Sequence, residues 1–326
     1  MPDSIEAKIN RKRFSALNLL VRYRTILIIL VLVIVFTFIN PVFVNPTNLL
    51  NMLKRMSFTA ITAFGTTFVI TLGGLDLSVG STAAVIGVSL ALILGLGIPL
   101  PLAILICLII AIVLGTINGV VAVKGRIEPF LVTLATLYMY RGTALVLTGG
   151  RPVPIRNNIF VLVFGNGLVL GIIPTPILFM IIFFILSWFL YKKTKYGFYI
   201  RAIGGNLEAA RVAGIYIDKV KISTYMINAI FAFFSGLILA ALMSSGLPNI
   251  AEDLPLDAIA AVILGGTAIS GGFGNIWGTL GGTLIMAILA SGMALLGAQY
   301  PVQILVRGMV IIMALLIDNS LKSRGK

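Results

Sequence analysis

Histidine is absent from this 326-residue chain, and cysteine occurs once, at Cys107. The first absence removes the commonest general base and metal ligand of neutral-pH chemistry, and the second excludes a disulfide framework. Carboxylates are scarce as well: ten Asp and Glu stand against 24 Lys and Arg. These few acids show no metal-ligand spacing. No GxxxxGK[ST] phosphate-binding loop occurs either, so any ATP used must be bound by another chain. A catalytic role is thereby disfavoured, and Cys107, in the middle of an apolar run, reads as packing.

Apolar residues fill the space instead. They make up 59% of the chain and the mean hydropathy is +1.11, far outside the range of soluble domains. Segments 26–44, 99–123 and 176–191 are each long enough, or nearly so, to cross a hydrocarbon layer as helices. Backbone groups in lipid must be paired internally, and these runs are too long and too uniformly apolar for barrel strands. The expected fold is an all-α polytopic membrane protein.

The net charge of +14 is distributed in clusters. Basic residues collect in an N-terminal tail (Lys8, Arg11, Lys12, Arg13, Arg22, Arg24), at Lys124 and Arg126, over 192–221, and at Lys322, Arg324 and Lys326. That is the positive-inside pattern, not a nucleic-acid surface, and it predicts cytoplasmic termini and an even number of crossings. Ten spans are expected: 26–44, 55–73, 78–97, 100–123, 128–148, 172–192, 222–245, 257–270, 276–297 and 302–318. The span at 257–270 is short and glycine-rich, so a broken or re-entrant helix there, and a count of eight, remain open. Residues 1–25 form a basic tail, 26–318 one transmembrane domain and 319–326 a second tail. The apolar run after the first tail lacks a small-residue cleavage pattern and is expected to stay in the mature fold.

Three segments interrupt the apolar text. The largest is TKYGFYIRAIGGNLEAARVAGI, Thr194 to Ile215, inside a polar stretch over 194–221. Gly204 and Gly205 can adopt conformations closed to other residues, Asn206 is a good N-cap, and Glu208 falls where the helix dipole favours a carboxylate. A short helix is expected from about Leu207 through Ala209, Ala210 and Arg211, stopped by Gly214. The island is either a surface offered to a partner or a plain connecting loop. The other two are GGLDLSVGS, containing Gly73, Gly74, Asp76 and Ser78, and GGTAISGGFG, containing Gly265, Gly266, Thr267, Gly271 and Gly272. Paired breaks in two halves point to a transport pathway lined by discontinuous helices, although glycine also serves close packing. Gly271 is expected near the pathway and away from the polar island. A carboxylate at Asp76 needs a reason within a membrane, and capping of the following helix with Ser78 is preferred to substrate contact. Asn118, Thr133, Thr136 and Thr267 offer a weakly polar lining, with most hydroxyls expected to bond their own helix backbone.

These three segments together, in this order, resemble the membrane permease subunit of bacterial ribose-type sugar ABC importers, and the likeness runs from Asn45 to Asn319. The resemblance implies about ten spans with an inverted repeat of spans 2–5 and 7–10, in a homodimer or close heterodimer in the bacterial inner membrane. It implies two further partners, a cytoplasmic ATPase and an extracytoplasmic sugar-binding protein. This chain would bind no cofactor, ATP and Mg residing on the ATPase. The 194–215 island would dock in the ATPase, with Gly204, Gly205, Asn206, Ala209, Ala210 and Gly214 matching the family pattern and Glu208 and Arg211 at looser positions. Residues 248–257 and the 149–171 loop would face the binding protein, with Glu252, Asp253 and Asp257 as an acidic cluster there or simply a solvated loop. Another sugar, a furanose signalling molecule or a nucleoside stays open as substrate. An ion-coupled secondary transporter is the rival, and it would require an acidic relay for which only Asp76 and Asp257 are at hand. A membrane scaffold is the third reading.

Overall fold

The computed structural model describes residues 25–323; the expected tail over 1–24 and residues 324–326 lie outside the described residues. A helix answers each of the ten expected spans. They are α1 (Thr25–Ile39), α2 (Pro46–Thr71), α3 (Val79–Gly95), α4 (Leu100–Lys124), α5 (Pro129–Thr148), α7 (Thr175–Lys193), α10 (Ile217–Met243), α11 (Leu254–Leu264), α12 (Ile276–Leu295) and α13 (Tyr300–Ser323). Between them lie a short helix α6 (Asn158–Val161), a π turn over Leu162–Asn166, and the polar-island helices α8 (Lys195–Gly205) and α9 (Leu207–Val212). Five helices, α4, α5, α7, α10 and α12, are long and apolar enough to cross a membrane by length and composition. The only strands among the described residues are two-residue pairs: β1 (Val153–Pro154) with β4 (Ser245–Gly246), and β2 (Leu168–Val169) with β3 (Ile173–Pro174).

The helix α2 begins well before the expected 55. Asn45 caps it by accepting from the Thr47 N–H at 2.9 Å, and Pro46 opens its first turn. Lys54 and Arg55 do not end it, because Lys54 reaches out to Asn166 at 2.8 Å while the backbone continues. From Ala60 to Thr71 every residue is buried, yet the segment is rich in threonine. Three of the hydroxyls are satisfied in place, Thr62 donating to Ser235, Thr67 to the Ala63 carbonyl and Thr71 to that of Thr67, while Thr66 has no hydrogen-bond partner among the described residues.

Two long helices, α2 and α10, form the centre. They run antiparallel, since Thr62 donates to Ser235 at 2.8 Å while Gly65 lies against Asn228. The helix α3 runs parallel to α10, with Ala83 beside Gly236 and Gly87 beside Ala240. Antiparallel to α10 on another side is α4, where Gly115 meets Ala229 and Gly119 meets Ile222. On α2 the corresponding neighbours are α11 and α12: Thr67 bonds Thr279 at 2.8 Å, and Gly282 of α12 lies on Ala261 of α11. Outward, Leu102, Leu105, Ile109 and Val113 make an exposed apolar stripe on α4 of the kind lipid covers.

The two glycine-rich interruptions do not hold matching places in this order. Residues 72–78 join a 26-residue helix to a short one, whereas 265–275 join the short helix α11 to α12. The segment that follows the 27-residue α10 and precedes the short α11 is 244–253, which carries the positive-φ residues Ser244 and Ala251. Its turns are made by residues other than glycine, so a search for glycine passes over it. The span expected at 257–270 is likewise corrected to the 11-residue α11, which ends at Leu264.

The α4–α10 crossing generates a prediction. A Cβ at Gly115 would lie 2.6 Å from the Ala229 Cβ and 2.7 Å from the Tyr225 carbonyl oxygen, so Gly115→Val should destabilise the protein by ~1–3 kcal/mol through overpacking. Gly95→Ala, with nothing within 4 Å, should stay within ~0.5 kcal/mol. Thermal unfolding of the two purified variants checks both.

Candidate functional site

The polar island folds from local rules. The Asn206 side chain accepts from the Ala209 N–H at 2.9 Å and starts α9, while Glu208 and Arg211 pair at 2.9 Å on its exposed face. The helix ends in a Schellman arrangement: the Gly214 N–H donates to the Arg211 carbonyl, the Ile215 N–H donates to that of Ala210, and Gly214 takes φ +78°. Ala210 is buried against the α2–α7–α10 core and Ala209 is exposed. Exposed with it are two apolar side chains not expected from the sequence, Val212 at 89% and Tyr216 at 74%. Beneath, Arg201 stacks on the Tyr191 ring and donates to the Tyr191 carbonyl, fastening α8 to the end of α7.

Gly204 and Gly205 serve a different purpose from the one expected. Both are helical within α8, and what matters at Gly204 is the missing side chain. A Cβ there would strike the Thr71 carbonyl oxygen and stand 2.6 Å from the Gly272 nitrogen. Gly271 and Gly272 take φ +83° and +80°, Gly73 takes +90°, and the Gly272 N–H donates to the Thr71 carbonyl at 2.8 Å. A Cβ on Gly271 would lie 2.9 Å from the Gly204 oxygen and 3.1 Å from the Gly73 Cα. The three interruptions of the sequence therefore converge in one backbone junction. The expectation that Gly271 lies away from the polar island is corrected: it touches it. Gly266 turns at φ +85°, Gly265 packs on Gly278 of α12, and buried Thr267 accepts from the Asn275 N–H at 3.2 Å, which holds the entry to α12.

Asp76 is buried with three donors on its carboxylate. The Ser78 N–H and O–H donate to Oδ1 at 2.9 and 2.6 Å, and Asn228 Nδ2 of α10 donates to Oδ2 at 2.9 Å. The network continues: Asn118 of α4 donates to Ser78 Oγ at 2.7 Å, and Tyr140 of α5 reaches Asn118 Oδ1 at 3.0 Å. Asp76 thus fastens the start of α3 to α4, α5 and α10. Thr133 and Thr136 bond carbonyls of their own helix, as expected of such hydroxyls. Gly74 leaves room for Tyr225, whose hydroxyl would be 2.5 Å from a Cβ there.

The acidic group at 252–257 divides. Arg307 of α13 lies 3.3 Å from Asp253 and 3.2 Å from Asp257, and the Tyr300 hydroxyl donates to Asp253 at 2.6 Å. Only Glu252 stays exposed and without an ion pair among the described residues. Arg141 of α5 pins the preceding loop by donating to the Pro248 and Ile250 carbonyls at 2.5 and 2.7 Å. Among the described residues no group of His, Cys, Asp and Glu is arranged to hold a metal.

A family described as "branched-chain amino acid transport system / permease component" matches residues 48–315, a span from α2 to α13 that takes in all three interruptions. The chain belongs to this family. Among curated proteins it is 41% identical over 298 residues to the ribose import permease protein RbsC of Bacillus subtilis, covering 89% of this chain and 90% of that one. It is 38% identical to the protein of the same name from Escherichia coli K12, covering 95% and 98%, and 33% identical to the L-arabinose ABC transporter permease protein AraH of Azospirillum brasilense, covering 95% and 91%. No solved structure gives a significant match. A permease of this family leaves ATP hydrolysis to a separate chain, in keeping with the missing phosphate-binding loop.

Two predictions arise. Asp76→Leu strands three buried donors at ~1–3 kcal/mol each, so it should fail to accumulate in membranes. Asp76→Asn keeps an acceptor for Ser78, and the Asn228 amide, whose Oδ1 has no partner, can turn over to meet the new N–H, so accumulation should be near normal on immunoblots of membrane fractions. Gly271→Val should displace α8 as well as its own loop. Protease cleavage within 194–215 should accelerate in that variant, whereas a change confined to the pathway would leave cleavage as in the parent.

Proposed function

We propose that this chain is the membrane-spanning subunit of an ATP-driven importer that moves ribose, or a closely related monosaccharide, delivered by an extracytoplasmic binding protein. The observation that carries the reading is identity to ribose import permeases at 37–41% along nearly the full length of both chains. The arabinose permease, at 33%, makes that pentose a competing substrate.

In this reading the ten long helices and half-helices cross the inner membrane ten times, with the termini in the cytoplasm. The helices α2–α5 and α10–α13 are inverted repeats. Crossed packing supports this: α3 packs on α10 and α11 on α2, α4 packs on α10 and α12 on α2, and each half also pairs its second helix with its fourth. The counterpart of the 72–78 break is then 244–253. The α9 surface, with Glu208, Ala209, Arg211 and Val212 outward, is the contact for the ATPase. Displacement of α9 and α8 acts through the Gly204–Gly272–Thr71 junction on the loops that precede α3 and α12, and so tips the pathway between its two openings. Two copies, or one copy and a close homologue, form the transporter.

The ion-coupled alternative is not favoured by the relatives, which are sugar permeases. Asp76 is saturated by neutral donors, and Asp253 and Asp257 share Arg307. Glu252 and the exposed 149–171 face remain as the surface for the binding protein.

Val212→Asp tests the coupling surface. An unpaired carboxylate in an apolar contact should reduce binding-protein-dependent sugar uptake by ~10-fold or more while the subunit still accumulates in the membrane. Unchanged uptake together with unchanged co-purification of the ATPase would remove α9 from the interface.

A further inference from the structure

A cavity of about 510 Å³ opens beside the polar island, between the α4–α5 turn, α9 and the first turns of α10. Its lining carries four cations, Lys124, Arg126, Arg211 and Lys221, against two carboxylates, Glu128 and Asp218, a balance of +2. Lys124 is occupied by Asp218 at 2.7 Å and Arg211 by Glu208 at 2.9 Å. Arg126 and the half-buried Lys221 have no ion pair among the described residues. At the inner end stands Tyr225, 2% exposed, whose hydroxyl lies against Gly74 and has no hydrogen-bond partner. Buried hydroxyls are nearly always paired, so this donor points to an acceptor that the protein itself does not provide.

The backbone carries an independent mark. Arg126 takes φ +53°, the left-handed region where glycine is the ordinary occupant, while the neighbouring Gly125 has an unexceptional φ of −73°. An arginine held where glycine would relieve strain indicates that its side chain is what the site requires. Ile127 of the lining is exposed, and so are Val121, Phe130 and Leu131, which neighbour lining residues in the chain at the facing ends of α4 and α5. A basic pocket between transmembrane helices, edged by apolar side chains, suits a phosphate whose attached chains lie in the bilayer.

We propose that this cavity binds the phosphate of an anionic phospholipid headgroup. Arg126 and Lys221 provide the charge, Tyr225 donates a hydrogen bond, and the acyl chains lie along the α4–α5 end. Arg211 and Leu207 belong to α9, so the bound lipid touches the polar island from its membrane side. The site depends on membrane embedding alone and stands or falls separately from the identity of the sugar or of the ATPase.

The test uses the purified full chain in detergent, with thermal unfolding followed during addition of phosphatidylglycerol, of phosphatidylcholine with the same chains, or of inorganic phosphate. Phosphatidylglycerol should raise the midpoint saturably, and the other two should not. Arg126→Gly and Lys221→Gln should each weaken the apparent lipid affinity about five-fold. The lipid-free Arg126→Gly protein should be at least as stable as the parent, because the backbone strain is relieved. Tyr225→Phe should weaken lipid binding without destabilising the lipid-free protein, since the hydroxyl has no internal partner to lose. Equal stabilisation by phosphatidylcholine, stabilisation by inorganic phosphate alone, or unchanged phosphatidylglycerol affinity in all three variants would each overturn the proposal.

Discussion

A helix that begins inside a bundle leaves its first amides without partners, and no water is at hand to supply them. That constraint bears directly on α3, whereas α11 begins at an exposed edge. At α3 no side chain caps those amides; Asp76 instead bonds the amide and hydroxyl of Ser78, the residue before the helix, and is itself held by Asn228, with Asn118 and Tyr140 extending the network. For α11 the start is governed by ion pairing: Asp253 makes no side-chain cap bond, and its carboxylate is taken by Tyr300 and Arg307. Polar groups from α4, α5, α10 and α13 converge where these two helices begin.

That requirement also explains the division of labour between side chains and backbone. Polar side chains are gathered inside the bundle, whereas the junction of α8 with the two glycine-rich loops is made by glycines and bare carbonyls. Thr71, Gly204 and Gly272 approach so closely that no side chain fits between them. A contact of that kind transmits displacement with little slack, because neither partner has rotamers to absorb it.

Legibility in the sequence followed the range of the interaction. The capping of α3 expected from Asp76 and Ser78 is corrected, since Ser78 makes no side-chain cap bond and Asp76 bonds Ser78 itself; the helix α9, by contrast, was readable to its cap because Asn206, Glu208 and Gly214 act within one or two turns. Asn228 was not, being 152 residues from the carboxylate it bonds. The glycines at 204 and 205 misled because the usual reason for a glycine pair is a turn, and here the reason is a neighbour far away in the chain. The acidic cluster at 252–257 was visible as composition, but its pairing with Arg307 depends on α13 running parallel to α11, which no local pattern announces. The 244–253 segment, of which 248–253 was read as part of the extracytoplasmic mouth, was not read as a break between helices because its positive-φ positions carry serine and alanine.

The side chains of Val212 and Tyr216 stand open to solvent, and Phe198 and Leu207 of the same island are exposed as well. Left uncovered, such a patch is also what quality-control proteases and chaperones grip. In the proposed reading, a copy of this subunit made without its docking partner carries these apolar side chains uncovered, the kind of surface on which proteolysis and chaperone binding act.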